Sequence, residues 1–227
     1  MNERKALEPF LLSDRIARIE SNALLRTRTL VVVLDGVHDP HNQSAVVRSC
    51  DGFGLLELHV IESHQRFRCN KKVSQGAEKW LEIIRHRESA PCAAALTGRG
   101  FELWVADPKP PSVTVDQLPW ERPLALVFGN EHEGPSDAMR ARAIGCFHIP
   151  MFGFVESFNV SVAVGIALAV GVRERLLRCG RHGDLADAER QQLMATWVRR
   201  SVRHADKILS QLTKHNSKKH VPPVDSA

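Results

Sequence analysis

The chain has 227 residues, of which 43% are hydrophobic and 25% charged, with a formal net charge of +5. This length and composition are typical of one globular domain with appendages, or of two small domains. No apolar run reaches the roughly 20 residues of a membrane span, and the first ten residues hold no apolar signal core, so we expect a cytoplasmic protein without a membrane partner. The five scattered cysteines form no C-x-x-C motif, and a proline separates His38 from His41, so we expect no disulfide framework and no metal.

The charge is distributed unevenly along the chain. Residues 1–28 hold six Lys/Arg and four Asp/Glu, residues 29–172 hold 13 and 16, and residues 173–219 hold 12 and five. A mildly acidic body with basic flanks favours a catalytic domain that holds a polyanion through its appendages, although a charge run is often only a solvated helical face. The predicted division is a basic helical extension at 1–28, a catalytic domain at 29–172, a basic helical extension at 173–213 and a disordered tail at 214–227.

The first third of the chain predicts a helix followed by alternating strands and helices. Residues 9–26 have apolar positions at helical spacing, with Arg15 and Arg18 on one face. Residues 30–34 read LVVVL, which is typical of a strand buried on both faces in a parallel sheet. A helix capped by Asn42 follows and runs to about residue 52, and a second strand covers 57–62.

The rest of the chain continues this alternation. Strands are predicted at 80–84, 101–106, 123–128 and 146–150. Helices are predicted at 89–100, after Asn159 and at 187–212, and both Ser157 and Asn159 lie where helix caps lie. The pattern predicts a mostly parallel α/β sheet, in which ligands bind at the carboxyl ends of the strands. Three polar loops fall at those ends: residues 35–42, 129–136 and 151–159.

These loops carry three motifs in a fixed order. They are Asn42-x-x-Ala45-x-x-Arg48, then Gly129-Asn130-Glu131-x-x-Gly134, then Ile149-Pro150-Met151 with Ser157-x-Asn159-Val160-Ser161. Residues 29–172 thereby resemble the SPOUT RNA 2′-O-ribose methyltransferases of the TrmH family. The short basic flanks are similar to those of the family members that methylate the D-loop guanosine 18 of tRNA.

The resemblance implies a fold, a cofactor and an assembly. The fold would be a parallel α/β sheet whose C-terminal part threads a trefoil knot, flanked by the two helical extensions. The cofactor would be S-adenosylmethionine and the substrate tRNA, and the protein would be a homodimer. The apolar helix after Ser157 fits a dimer, because a helix that is hydrophobic nearly all round needs a partner.

The resemblance also implies the catalytic residues. Arg48 would act as the general base or would stabilise the alkoxide of the ribose, and a guanidinium, which is normally protonated, does the second more easily. Asn42 and Glu131 would orient Arg48 and the ribose. Asn159 would support the same cluster, and Ser157 would lie near the cofactor or the target phosphate.

Binding residues are implied in the same way. Backbone groups near Ala106, Gly129, Ile149, Met151 and Phe158 would hold the cofactor. RNA would contact Arg15, Arg18, Arg173 and Arg175, each of which could alternatively be ordinary surface charge. Glu156 stands where close tRNA-modifying relatives often have Gln, and its carboxylate would either repel RNA phosphate or pair with a nearby arginine.

Two other functions remain open from the sequence. The same chemistry could act on another RNA such as rRNA, and a protein that keeps the fold could bind RNA without catalysis. The presence of Arg48, Glu131 and Asn159 argues against the second of these alternatives.

Overall fold

The computed structural model describes residues 3–62, 66–109, 111–130 and 133–218, with the side chains of 214–218 left aside. It divides into two compact units, one formed by Leu25–Asp184 and the other by Met1–Leu24 with Leu185–Ala227. The two ends of the chain, which the sequence analysis treats as separate extensions, therefore belong to one helical unit. Within the described residues, no helix has the length and hydrophobicity that crossing a bilayer requires.

Within the described residues, the larger unit is built on a sheet of seven parallel strands, which confirms the predicted mostly parallel α/β sheet. The strand order is β3-β2-β1-β6-β4-β7-β5. Central strand β1 pairs with β2 on one side and β6 on the other, so that Val32 lies opposite both Leu58 and Leu126. The strands are β1 (Leu30–Asp35), β2 (Glu57–Ile61), β3 (Glu82–His86), β4 (Glu102–Ala106), β5 (Ser112–Thr114), β6 (Leu124–Gly129) and β7 (Gly145–His148).

Helices cover both faces of the sheet, as a fully apolar strand such as β1 requires. The α-helices of both units, among the described residues, are α1 (Glu3–Leu7), α2 (Ser13–Leu24), α3 (Pro40–Gly52), α4 (Lys71–Ser74), α5 (Ser89–Gly98), α6 (Asp137–Arg140), α7 (Val160–Cys179), α8 (Asp187–Ser201) and α9 (Ala205–Lys218). Helices α3 and α7 pack together on one face, where Val46 and Val164 are buried. Helix α5 covers the other face with Cys92 and Leu96.

The helix caps follow local chemistry, with one difference from expectation. Asn159 is the N-cap of α7, and its side chain accepts a hydrogen bond of 2.9 Å from the Ser161 amide, as predicted. Helix α3 is capped by Asp39 rather than Asn42, because Pro40 occupies the first turn and Asp39 accepts from the His41 amide. Asn42 therefore lies inside the first turn of α3.

Three predicted segments have different limits in the structure. Strand β3 begins at Glu82 rather than residue 80, because Trp80 closes a 3-10 turn by donating its amide to Ala77. The single helix predicted at 187–212 is two helices, because His204 has a left-handed backbone (φ 59°) between α8 and α9. Helix α9 runs to Lys218, so the first part of the predicted disordered tail is helical, and residues 219–227 lie outside the described residues.

The helical unit has a small core of its own. Helices α1 and α2 pack against α8, and α1 also packs against α9. Residues from both ends of the chain are buried in this unit: Leu7, Ile19, Ala23, Leu193, Met194, Trp197, Val198, Val202, Ala205 and Leu209. The first and last segments of the chain thus provide the apolar surface for each other.

Candidate active site at the carboxyl edge of the sheet

Three adjacent strands bring the predicted cofactor residues to one edge. Strand β4 pairs with β6 on one side and with β7 on the other, all in parallel. Ala106 ends β4, Gly129 ends β6, and Ile149 directly follows β7. Because parallel strands end at the same side of a sheet, the backbone groups of these three residues share one edge.

The loop after β6 is tightly packed. A Cβ atom at Gly129 would lie 2.0 Å from the carbonyl carbon of Gly134, so no larger residue fits there without backbone movement. The Gly134 amide donates to the Asn130 carbonyl (3.1 Å), and the Asn130 side chain accepts from the Glu133 amide (2.7 Å). The backbone at 133–134 is therefore held close against the end of β6.

Two carboxylates fix this loop to its neighbours. Asp35, which ends β1, accepts from the Ser136 amide and the Ser89 hydroxyl, both at 2.7 Å. Asp107, just after β4, is paired with Arg140, whose Nε also donates to the Pro135 carbonyl (3.1 Å). Burial opposes ionisation of Asp107, but the Lys109 amide and Arg140 outweigh it and lower its pKa.

Sequence reasoning missed Asp35, Asp107 and Arg140 as positioning residues. Asp35 and Asp107 each stand at or just after the end of an apolar strand, where a carboxylate is 7% exposed or less. A buried carboxylate needs a partner. An acidic residue at the end of an apolar strand is thus a sequence signal that could have identified Asp35 and Asp107. No comparable signal in the sequence identifies Arg140.

Asn42 and Asn159 meet where α3 and α7 begin. The side-chain nitrogen Nδ2 of Asn159 donates to the side-chain oxygen Oδ1 of Asn42 over 3.0 Å, although the two residues are 117 positions apart. Asn42 is buried, and Asn159 also accepts from the Ser161 hydroxyl (2.7 Å). The structure thereby brings two of the predicted catalytic residues together at the carboxyl edge.

Arg48 differs from this pair in its surroundings. It is exposed on α3, and within the described residues its guanidinium has no hydrogen bond or ion pair. Six positions of a helix turn the side chain by about 600°, roughly 120° short of two full turns, so Arg48 cannot share the face of the buried Asn42. Arg48 is accordingly exposed to solvent, whereas Asn42 is buried.

The loop from 151 to 159 is open. Ser157 is exposed and has no hydrogen bond among the described residues, and Phe152 and Phe154 are almost fully exposed. Met151 is half-buried and Phe158 is 38% exposed. Glu131, the remaining predicted catalytic residue, lies outside the described residues.

The predicted RNA-contacting arginines divide into two groups. Arg15 and Arg18 on α2, and Arg173 on α7, are exposed. Arg175 is 6% exposed and donates to Asp184 (3.0 Å) and to the Thr29 hydroxyl (2.8 Å). The prediction that Arg175 contacts RNA does not fit this placement, because its guanidinium is used inside the protein.

A cleft of about 1040 Å³ lies in the helical unit and does not involve the residues of the sheet edge. Arg4 and Arg199 line it. Arg4 pairs with Glu8 and Glu20, and Arg199 pairs with Asp206. These pairs neutralise much of the positive charge in the cleft, so the open, basic Arg48 surface and the backbone edge of the sheet are the stronger candidate for chemistry.

Comparison with known proteins gives one consistent result. The SpoU rRNA Methylase family matches residues 29–169. A tRNA (guanosine(18)-2′-O)-methyltransferase of Thermus thermophilus is 33% identical over 187 residues, covering 82% of this chain and 96% of the relative.

Solved structures agree with this. A TrmH/SpoU tRNA modifying enzyme of Aquifex aeolicus superposes with a TM-score of 0.77 at 30% identity, covering 84% of this chain and 98% of that one. The SpoU methyltransferase AviRb of Streptomyces viridochromogenes, solved in complex with AdoMet, has a TM-score of 0.59 at 25% identity, with 65% and 60% of the two chains covered.

Proposed function

The chain belongs to the SpoU rRNA methylase family, and on that premise we propose that it is a tRNA (guanosine(18)-2′-O)-methyltransferase that uses S-adenosylmethionine. The single observation that carries the substrate is the match to relatives with this activity over 82% of the chain. This match extends beyond residues 29–169, so it includes part of the terminal segments as well as the methylase domain.

The residues at the carboxyl edge fit S-adenosylmethionine. The neighbouring ends of β4, β6 and β7 bring together the backbone groups near Ala106, Gly129 and Ile149. The Ser136 hydroxyl beside them is buried and has no hydrogen-bond partner among the described residues. A polar ligand at this edge would satisfy that hydroxyl. Met151 and Phe158 follow in the open loop and would complete the apolar wall of the site.

When bound, the cofactor supplies an electrophilic methyl group on a sulfonium, which is already a good leaving group. The remaining difficulty is the ribose 2′-hydroxyl, a weak nucleophile that must be aligned and must lose its proton. The protonated guanidinium of Arg48 would stabilise the developing alkoxide, because it is exposed and not neutralised by any described residue. No group in this account requires a metal.

The asparagine pair would hold the site in shape. Asn159 caps α7 with its oxygen and donates to Asn42 with its nitrogen, so it connects the first turns of the two helices that pack on one face of the sheet. Ser157 would lie near the cofactor or the target phosphate, and Glu131 would orient Arg48 and the ribose. Arg15, Arg18 and Arg173 would contact tRNA phosphates as exposed cations.

Three further properties belong to the same proposal. We infer a trefoil knot in the C-terminal part of the sheet and a homodimer, as the family resemblance implies. The dimer is supported by exposed apolar residues on and before α7: Phe152, Phe154, Val155, Val162, Leu176 and Leu177. A cytoplasmic location follows from a tRNA substrate.

The test is methyl transfer by the purified full-length chain. Labelled S-adenosylmethionine is incubated with unmodified tRNA transcript, and the modified nucleotide is mapped for the wild type, for Arg48→Ala and for Arg87→Ala, an exposed arginine that serves as the control. We expect the wild type to place a 2′-O-methyl group on guanosine 18. The rate of transfer should fall about 100-fold or more in Arg48→Ala, while tRNA binding remains. The rate should be unchanged in Arg87→Ala.

Other outcomes would point elsewhere. Methylation of rRNA fragments but not of tRNA would favour rRNA, the substrate in the name of the matched family. Binding of tRNA without transfer to any RNA would overturn the catalytic assignment.

A further inference from the structure

Three potential metal-binding side chains meet on the face of the sheet covered by α5. They are His59 on β2, His86 at the end of β3 and Cys92 on α5, and their ligand atoms all lie within 4.8 Å of one another. His59 and Cys92 are buried, whereas His86 is partly exposed. Because β3 is the edge strand farthest from β4 and β7, this cluster is separate from the methyl-transfer edge.

The orientation of His59 is fixed by a carboxylate. Its Nε2 lies 3.2 Å from Glu57 Oε2, and Glu57 is also paired with Arg28 (2.6 Å) and Arg99 (2.8 Å). A carboxylate held by two arginines stays ionised and can only accept, so His59 donates from Nε2. Its Nδ1 therefore presents a lone pair toward His86, whose Nε2 lies 3.0 Å away.

We propose that His59 Nδ1, His86 Nε2 and Cys92 Sγ form a binding site for a divalent transition-metal ion of the zinc type. Two imidazoles and one thiolate suit zinc, whereas magnesium and calcium prefer oxygen ligands. The hydrogen bond from His59 to Glu57 is the arrangement that supports metal-ligating histidines in proteins, because it fixes the ring and increases its basicity.

Binding changes the protons of the cluster in a defined way. Without metal, His86 Nε2–H donates to His59 Nδ1, so the two nitrogens satisfy each other. With metal, the Cys92 thiol releases its proton to solvent, and His86 carries its ring proton on Nδ1 instead. The partly exposed edge of His86 provides the entry path and leaves the fourth position to water.

The consequence is structural rather than catalytic. The ion would connect two neighbouring strands and the helix above them, and an ion that binds only the folded chain raises its stability. Methyl transfer should proceed with or without it.

The first test uses cobalt as a spectroscopic substitute for zinc. The full-length chain is freed of metal with a chelator and titrated with Co²⁺. We expect one ion per chain, with a thiolate-to-cobalt charge-transfer band that zinc removes. Cys92→Ser should lose the band, and Cys146→Ser should keep it, since Cys146 packs against the same apolar cluster and serves as the matched control.

The second test does not depend on the buried thiol. His86→Gln alters a partly exposed residue and should fold, and it should weaken zinc binding about 100-fold or more while methyl transfer is unchanged. Zinc should raise the melting temperature of the wild type and not that of His86→Gln. A wild type that gives no band with excess cobalt, a band that survives in Cys92→Ser, or equal zinc affinity in His86→Gln would overturn the proposal.

Discussion

Two loops at the same edge of the sheet are built in opposite ways. In the loop after β6, the described residues 129–130 and 133–136 are held by Asp35, by the close packing of Gly129 against Gly134, and by Arg140. The loop at 151–159 has exposed Phe152 and Phe154, and its Ser157 has no hydrogen bond among the described residues.

This difference fits the proposed function, in which the loop after β6 would offer backbone groups to the cofactor, while the open loop would face the RNA and add Met151 and Phe158 to the cofactor site. A cofactor of constant shape is bound well by a backbone that is already in place, because little ordering entropy remains to be lost on binding. A large RNA substrate has to approach from solvent, and the exposed loop leaves it room. If the loop after β6 is rigid and the loop at 151–159 is open, substitutions should have the largest effects in the first loop and the smallest in the second.

Gly129→Ala should have the largest effect. The new Cβ would lie 2.0 Å from Gly134 backbone, so the fixed loop has to move, and a displacement of about 1 Å near the chemistry can lower the rate about 100-fold. The control is Gly153→Ala in the open loop, where a Cβ would meet nothing within 4 Å. Steady-state methyl transfer measures both; similar rates in the two variants would contradict the comparison.

Arg140→Ala should weaken the contacts that hold the loop after β6, but it adds no atoms that would displace its backbone. The change leaves the buried Asp107 carboxylate without its ion pair, which costs about 1–3 kcal/mol of unfolding free energy. Cofactor affinity should also fall. Arg142→Ala, an exposed neighbour, is the control in urea unfolding and in S-adenosylmethionine titration.

Asn159 lies where the open loop enters α7, and two substitutions separate its roles. Asn159→Ala removes both the cap and the hydrogen bond to Asn42, so we expect a loss of about 1–2 kcal/mol. Asn159→Asp keeps the cap and should retain most of the stability, while removing the donor to Asn42. Equal destabilisation of the two variants in urea unfolding would argue against this separation.

The contribution of the Asp107–Arg140 pair to the unfolding free energy should depend on pH in the acid range. Because the pKa of Asp107 is lowered below its ordinary value of 3.8, its stabilisation is fully present above that value and is lost as the pH falls toward the folded-state pKa. The difference in unfolding free energy between the wild type and Asp107→Asn should therefore be constant from about pH 7 to 5 and narrow below about pH 4. A difference that narrows near neutral pH would exclude Asp107 as its source.

Ser157→Ala should have the smallest effect on stability. Its side chain is exposed and makes no hydrogen bond among the described residues, so the unfolding free energy should change by less than about 0.5 kcal/mol. Loss of one hydrogen bond to substrate or cofactor would slow transfer about tenfold. A folded, fully active variant would remove Ser157 from the proposed site.

Sequence patterns predicted six of the seven strands in the described sheet and missed the short edge strand β5, Ser112–Thr114. Fully apolar runs such as that of β1 identify buried parallel strands, and the polar loops after them identify the edge where ligands bind. The start of α7 was also predicted correctly at Asn159, because side-chain caps act over two or three residues. Local chemistry therefore explains the elements that could be predicted.

What the sequence did not reveal depends on contacts between distant residues. Asp107 and Arg140 are 33 positions apart, and Asp35 is 101 positions from Ser136. A count of basic residues does not distinguish exposed Arg173 from Arg175, which is buried against Asp184. The register of the parallel strands determines which of these distant residues come into contact, and no short sequence motif specifies that register.

The discontinuous helical unit has a consequence for how the protein is made. The residues of α1 and α2 are synthesised before their packing partners, which begin at Leu185. With about 160 residues between them and synthesis at roughly 5–20 residues per second, α1 and α2 wait on the order of 8 to 32 s for α8. During that interval Leu7 and Ile19, which end up buried, have no core to enter. The earliest helices of this chain are therefore among the last to be protected, and they are a natural point of contact for chaperones or proteases on the nascent chain.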